Sequence, residues 1–299
     1  MLNQETFWNS VEQHISAATD QSFITQQRRA VGGGCINQAW QVSAADQAYF
    51  VKVNAASGLA MFEAEAAGLT ELAASHTVRV PKPIGWGSAA GQAYLVLEYV
   101  PLDGSGSGQS MQTLGQQLAL LHRQPQPYFG WPRDNTIGST PQLNARAEDW
   151  ITFWREQRLG FQLQLAARNS HGGALQRQGE MLLAQFAGLF AGYAPPPSLL
   201  HGDLWGGNAG CTTHGEPVIF DPAAYYGDRE ADLAMTELFG GFPEGFYAAY
   251  RETWPLDAGY PQRRTLYNLY HILNHLNLFG GGYRAQAERM IQQLLAELK

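Results

Sequence analysis

The chain has 299 residues, 45% hydrophobic and 12% aromatic, enough to bury a sizeable core as two domains or one bilobal unit. Only 15% of residues are charged and the formal charge is −7, which excludes wholesale disorder and argues against a broad basic surface for nucleic acid. Two cysteines, Cys35 and Cys211, give no disulfide framework and fit a reducing cytoplasm. No apolar run approaches the roughly 18–20 residues of a membrane span.

The opening "MLNQETFWNSVEQHISAA" lacks a basic leader and an unbroken apolar core, so no signal peptide is expected. Phe7, Trp8, Val11 and Ile15 instead share one side of a helix. Residues 28–53 read as strand, glycine turn, strand and strand, with Lys52 between valines in "AYFVKVN" (48–54). "GLAMFEAEAAGLTELAA" (58–74) is a helix by composition and by the spacing of Phe62, Leu69 and Leu72. "AYLVLEYV" (93–100) is a buried strand, and "PLDGSGSGQS" (101–110) a flexible connector. The connector divides an N-terminal lobe, 1–100, from a larger lobe, 111–299.

The second lobe is mainly helical. Met111, Leu114, Leu118 and Leu121 repeat at helical steps. Residues 124–146 are rich in Pro and Gly and read as loop, with helices over 146–167 and 179–193 beyond them. "APPPSLL" (194–200) ends the second of these. Leu266, Leu269, Leu273 and Leu276 mark a late helix, and Met290, Leu294 and Leu298 a final one. The fold class is α+β: a small β-rich lobe joined to a larger, mainly helical one.

The chemistry lies in "HGDLWGGNAG" (201–210) and "VIFDP" (218–222). A phosphoryl-transfer site needs a carboxylate near the attacking hydroxyl and hard oxygen ligands for Mg²⁺. His201, Asp203 and Asn208 reproduce the H-x-D-x-x-x-x-N spacing of kinases, with Gly202 where protein kinases carry Arg. Asp221 supplies a second metal ligand. Upstream, Lys52 on a strand and Glu65 on a helix suit a phosphate-binding ion pair, preceded by the glycine turn "GGGCIN" (32–37). That turn is not G-x-G-x-x-G and no strand–helix crossover follows, which removes a dinucleotide-binding oxidoreductase from consideration.

Taken together, "GGGCINQAW" (32–40), "YFVKVN" (49–54), "MFEAEAAGL" (61–69), "LVLEYV" (95–100), "NTIGSTPQLN" (135–144), "DWITFWREQRL" (149–159), "HGDLWGGN" (201–208) and "DPAAYYGDREADLAM" (221–235) resemble the fructosamine kinase family over nearly the whole chain. That family is a branch of the bilobal protein-kinase-like fold shared with aminoglycoside and choline kinases. Trp205 stands where protein kinases usually carry Lys, which argues against protein Ser/Thr phosphorylation.

The resemblance implies ATP- and Mg²⁺-dependent phosphorylation of the 3-hydroxyl of ketosamines, with later release of the amine. It implies Asp203 as the catalytic base, Asn208 and Asp221 as metal ligands, and Lys52, paired with Glu65, on phosphate. Gly32, Gly33 and Gly34 would let backbone N–H groups approach the nucleotide, and Glu98 and Val100 would offer backbone groups to adenine. Cys35, within the glycine turn, is a candidate for a redox-linked homodimer.

Other motif residues carry two readings each. His201 is either an acid or a brace for its loop, and Trp205 either covers substrate or packs. Asp228, Arg229 and Glu230 either line the acceptor cleft or pair with one another. Asn135, Gln142 and Asn144 either shape an insert beside the cleft or bind substrate. Asp232 is expected to anchor the catalytic loop from a helix N-terminus. The rival enzyme is a kinase for another small hydroxylated amine, and a different class is an inactive nucleotide-binding scaffold.

Overall fold

The computed structural model describes residues 2–32, 36–104 and 106–299, without the side chains of Leu2 and Asn3. Helix α1 (Leu2–Thr19) is followed by five antiparallel strands: β1 (Gln27–Val31), β2 (Gln38–Ala44), β3 (Gln47–Ala55), β4 (Pro83–Ala89) and β5 (Gln92–Glu98). They form one sheet in the order β1-β2-β3-β5-β4. Helix α2 (Leu59–Ala74) lies between β3 and β4 in the chain.

Strand alternation assigns the two faces of the sheet. Tyr49, Val51 and Val53 of β3, with Tyr94 and Val96 of β5, pack against Phe7, Trp8, Val11 and Ile15 of α1. The other face carries Ala93, Leu95 and Leu97, which join Phe62, Ala66, Leu69 and Leu72 of α2 in the main core. Lys52, opposite Ala39 and Leu95 in register, falls on the α2 side. The period-2 pattern therefore aims the one lysine of β3 inward, toward Glu65.

The expected connector is shorter and more tethered than its Gly/Ser content suggests. Leu102 bridges to Thr212, Asp103 N–H donates to Cys211 O (2.8 Å), and Cys211 N–H donates to Gly104 O (3.2 Å). Ser107 then caps α3 (Gly108–His122), its hydroxyl accepting from Ser110 N–H at 3.2 Å, so the helix begins inside the predicted linker.

The span 124–146, read as loop, contains a hairpin of β6 (Asn135–Ile137) and β7 (Thr140–Gln142) turning at Gly138, φ +64°. Three-residue strands, one holding Pro141, show no readable alternation. The helix expected over 146–167 begins at α4 (Trp150–Phe153), where Asp149 Oδ2 accepts from Thr152 N–H at 2.7 Å. It passes through a π-helical segment, Trp154–Gly160, into α5 (Phe161–Arg168). α6 (Ala174–Gln185) and a 3₁₀ turn, Phe186–Phe190, account for the helix expected over 179–193.

Four short strands follow: β8 (Ser198–Leu200), β9 (Ala209–Cys211), β10 (Pro217–Ile219) and β11 (Tyr225–Gly227). β9 pairs with β10 and β8 with β11, so the two pairs hold the motif loops side by side, one running from β8 to β9 and the other from β10 to β11. Helices α7 (Glu230–Leu238), α8 (Glu244–Thr253), α9 (Tyr260–Phe279) and α10 (Gly282–Glu297) complete the chain. α8 packs on α3 with Gly115 against its backbone, where a Cβ would lie 2.2 Å from Phe246 O.

Helix α2 is fixed to the helical part of the molecule as well as to the sheet. Glu71 accepts from Trp131 Nε1–H at 2.7 Å and from the Tyr226 hydroxyl. At Gly68 a Cβ would touch that of Ala224 at 3.2 Å. Glu71→Ala would leave the Trp131 and Tyr226 donors unpaired beside buried rings, and chemical denaturation should show a loss of about 2–4 kcal/mol. Glu71→Gln, which keeps one acceptor, should lose less.

Candidate active site

Lys52 Nζ lies 2.6 Å from Glu65 Oε1 and 2.6 Å from Asp221 Oδ1. One ammonium thus joins strand β3, helix α2 and the loop after β10. Burial works against the charge on Lys52, yet the Asp221 and Glu65 carboxylates outweigh it and hold the pKa above its ordinary value. The Asp221 side chain is 46% exposed, so this end of the pair opens toward solvent.

The second half of the site is the 201–208 loop. Asn208 Nδ2 donates to Asp203 O (2.8 Å) and to Asp203 Oδ2 (3.2 Å). Any metal bond from Asn208 therefore comes through Oδ1. The two motif loops are cross-tied by three bonds. Phe220 N–H donates to Asn208 O (3.0 Å), Ala223 N–H to His201 O (2.9 Å), and His201 Nε2 to Phe220 O (2.9 Å).

This explains Gly202, which sits at φ +81°, where a Cβ would lie 2.1 Å from Ala223 O. An arginine there, as in protein kinases, would clash with the neighbouring backbone. His201 is a brace: its Nδ1 accepts from Asp203 N–H (3.3 Å) while Nε2 donates, and burial lowers its pKa, keeping the ring neutral.

Asp232 anchors the loop from the first turn of α7. Its Oδ2 accepts from His201 N–H (2.7 Å) and its Oδ1 from Gly202 N–H (2.8 Å). His122 Nε2 on α3 completes the set at 3.2 Å, with the Tyr250 hydroxyl 2.9 Å from its Nδ1. Burial opposes ionisation of Asp232, but His122, His201 and the backbone donors hold its carboxyl below the ordinary range.

Asp203 behaves in the opposite way. Burial, and then the negative charge of Asp221, push its pKa up to about 7, although Asn208 pulls it down. The four ionisable side chains of the site carry one positive and three negative formal charges, +1 − 3 = −2. A bare triphosphate would be repelled, and a cation bound to it would offset that repulsion. Among the described residues no three His, Cys, Asp or Glu side chains form a metal cage. Mg²⁺ typically takes one or two carboxylates plus substrate phosphates, and the hard oxygens of Asn208 and Asp221 fit that donor set.

The remaining candidates divide. Gly32 closes β1 with open space around it, while Gly33, Gly34 and Cys35, and with them the expected contact between subunits, lie outside the described residues. Glu98 ends β5 and Val100 follows, both partly buried; the Glu98 carboxylate pairs with Arg79 and accepts from Lys82 N–H (3.1 Å). Trp205 is 38% exposed and packs edge-on to Phe239 at 6.2 Å. It also lies across Gly207, where a Cβ would meet the indole at 2.3 Å.

Asp228, Arg229 and Glu230 correct the sequence reading. All three are buried, and their side chains neither line the cleft nor pair with one another. Asp228 accepts from the hydroxyls of Tyr193 and Tyr267, Arg229 lies 3.8 Å over Trp254, and Glu230 takes Arg263 at 2.7 and 3.0 Å. Two residues of the site's framework had gone unnoticed in the sequence. His122 looks like the polar end of an amphipathic helix, and Glu71 like a solvated helix charge.

Paired motif loops, a strand lysine bound to a helix glutamate and a β-rich lobe over a helical one define the protein-kinase-like class. Choline kinase LicA from Streptococcus pneumoniae (TM-score 0.64, 17% identity) and the hygromycin-bound aminoglycoside phosphotransferase APH(4)-Ia (0.64, 14%) share this fold across 97% and 96% of the chain, and 99% and 98% of theirs. The chain belongs to the fructosamine kinase family, whose model matches residues 7–297. It is 50% identical to a probable ketoamine kinase of Synechocystis over 98% of this chain and 99% of that one. A chloroplastic protein-ribulosamine 3-kinase of Arabidopsis thaliana is 46% identical over 90% and 83%. A crystal structure of a candidate fructosamine-3-kinase from Haemophilus somnus superposes with TM-score 0.91 at 30% identity, covering 99% and 100%.

Asp203 and Asp232 predict opposite stability effects. A raised Asp203 pKa means that the folded state holds its proton while the unfolded chain has lost it, so stability falls as pH rises from about 4 to about 7. Asp203→Asn should therefore be more stable than the parent at pH 8 by about 1–2 kcal/mol, discounted for partial exposure, and equal to it near pH 4. The lowered Asp232 pKa contributes stability above about pH 4 that is lost in acid, and Asp232→Ala should cost about 3 kcal/mol at pH 7. Denaturant melts across pH read both.

Proposed function

We propose that the protein is an ATP-dependent ketosamine 3-kinase, transferring a phosphoryl group to the 3-hydroxyl of ribulosamine, fructosamine or erythrulosamine adducts of amines, free or on proteins. One observation carries this reading: Lys52, Asp203, Asn208 and Asp221 converge in a member of the fructosamine kinase family.

In this reading Asp203 accepts the proton of the sugar hydroxyl or orients that hydroxyl for in-line attack. A carboxyl whose pKa is raised toward neutrality suits the task of accepting a proton. Lys52 holds phosphate oxygens and Glu65 fixes the ammonium. Asn208 Oδ1 and Asp221 would hold Mg²⁺, which when bound neutralises phosphate charge. Gly32 would bring its backbone N–H to the phosphates, and backbone groups of Glu98 and Val100 would take adenine.

Trp205 gives the acceptor side a large exposed ring suited to a sugar or a cationic amine. The products are ADP and the 3-phosphate, which loses phosphate by elimination and releases the amine on hydrolysis. Two cysteines in 299 residues favour a reducing compartment such as the cytoplasm.

The test is phosphate transfer from ATP to ribulose-lysine, fructose-lysine and an aminoglycoside, followed by ³¹P NMR. Ketosamine turnover with no aminoglycoside turnover is expected, and Asp203→Asn should lower kcat at least about 10³-fold while the protein stays folded. Full activity in that variant removes the assignment of the base, and aminoglycoside turnover alone removes the substrate class.

A further inference from the structure

The hairpin β6–β7 has no part in the reaction as proposed, yet its amides are spent on the backbone beside Asp221. Asn135 Nδ2 donates to Ala224 O at 2.8 Å and Gln142 Nε2 to Ala223 O at 3.0 Å. The two side chains also bind each other, Gln142 Nε2 to Asn135 Oδ1 at 2.9 Å.

Each amide is oriented from behind. Gln142 Oε1 accepts from the Tyr270 hydroxyl at 2.8 Å, and Asn135 Oδ1 accepts from Asn144 Nδ2 at 2.9 Å. Asn144 Oδ1 in turn accepts from Arg158 Nη2 at 2.7 Å. Arg158 comes from the π-helical segment, is fully buried, and lies 4.1 Å over the Tyr225 ring. Four successive residues beginning two beyond Asp221 are thus gripped: the carbonyls of 223 and 224 by amides, the ring of 225 by a guanidinium, and 226 by its pairing with β8.

The segment needs gripping. Asp221 has φ +58°, a left-handed conformation that Asp tolerates better than most residues but that persists only where its surroundings impose it. Ala223 is also the residue whose N–H donates to His201 O, so a force on its carbonyl acts on both motif loops.

The geometry points to Asn135 and Gln142 as positioning residues that hold Asp221 in its left-handed conformation, facing Lys52 and the metal position. In this role they act through Asp221 and not on nucleotide or sugar. The inference deepens the proposed function and rests on its reading of Asp221 as a metal ligand. Outer groups that orient a ligand typically change metal affinity by about 10–100-fold when removed.

The variants are Asn135→Ala and Gln142→Ala, with Gln142→Glu as a variant of equal size that keeps the acceptor for Tyr270 and lacks the donor for Ala223. Two readouts apply. In the ligand-free protein, hydrogen exchange of peptides spanning 220–227 should quicken about tenfold or more at the Ala223 amide. With a nonhydrolysable ATP analogue, Mn²⁺ followed by electron paramagnetic resonance should bind about 10–100-fold more weakly. If the alanine variants do not fold, Gln142→Glu decides.

Unchanged exchange and unchanged Mn²⁺ binding in a folded variant overturn the inference, even if its melting temperature falls, because the amides would then be structural only. Wild-type protein that binds no Mn²⁺ with the analogue overturns the metal-ligand reading itself. Wild-type binding matched by the variants overturns only the positioning role.

Discussion

A single ammonium group, Lys52 Nζ, is held 2.6 Å from two carboxylates that reach it from a helix and from a loop 169 residues away in sequence. The fold can be understood as what is required to keep those three groups together. β-Alternation turns Lys52 to the inner face of the sheet, α2 lays Glu65 across that face, and the pairing of β9 with β10 delivers Asp221. Bringing a lysine to 6% exposure carries a desolvation penalty that only close opposite charges offset. Here two are supplied for one, and burial together with the charge of Asp221 raises the Asp203 carboxyl toward neutrality. The site is electrostatically incomplete alone, which suits a partner that is itself a polyphosphate bound to cations.

Much of this was legible in the sequence because local pattern and tertiary role coincide there. Phe7, Trp8, Val11 and Ile15 lie on one face of α1 and are all buried, as their spacing predicts. The flanking valines of Lys52 identify β3, and the helical spacing of Phe62 and Leu69 identifies α2. The hairpin was not legible, since strands of three residues show no period. α8 was not legible directly after Gly240, Gly241 and Pro243, although Phe246 and Tyr250 are four apart and fully buried. The chemistry of Asp228, Arg229 and Glu230 was misjudged for a different reason. A run of charges gives no sign of whether it faces water, and here tyrosine hydroxyls, a tryptophan face and Arg263 take those charges into the core.

Kinase-like sites depend on their lysine–glutamate pair being formed, and in regulated members the helix bearing the glutamate moves. In this chain α2 has little room to do so. One side packs on the sheet, Glu71 bonds Trp131 and Tyr226, and Gly68 lets the helix touch Ala224, three residues beyond Asp221. The ion pair is therefore tied through α2 to the sheet on one side and to the helical lobe on the other.

The same accounting decides what the polar residues of "NTIGSTPQLN" are for. Amides in a Pro- and Gly-rich stretch near a cleft resemble ligand-binding groups, and sequence alone cannot separate that role from a structural one. Burial does. Gln142 and Asn144 are each 1% exposed, and the bonds of both, with those of Asn135, run to backbone carbonyls, to one another, to Tyr270 and to Arg158. Buried amides already committed on both their donor and acceptor sides have little left for a sugar, but they can hold a strained backbone. A π-helical distortion that carries Arg158 into the core, a hairpin too short to stand alone and an aspartate at positive φ each look costly in isolation. Joined by these bonds they become a rigid support for one carboxylate, which is what a site that works by positioning charge requires.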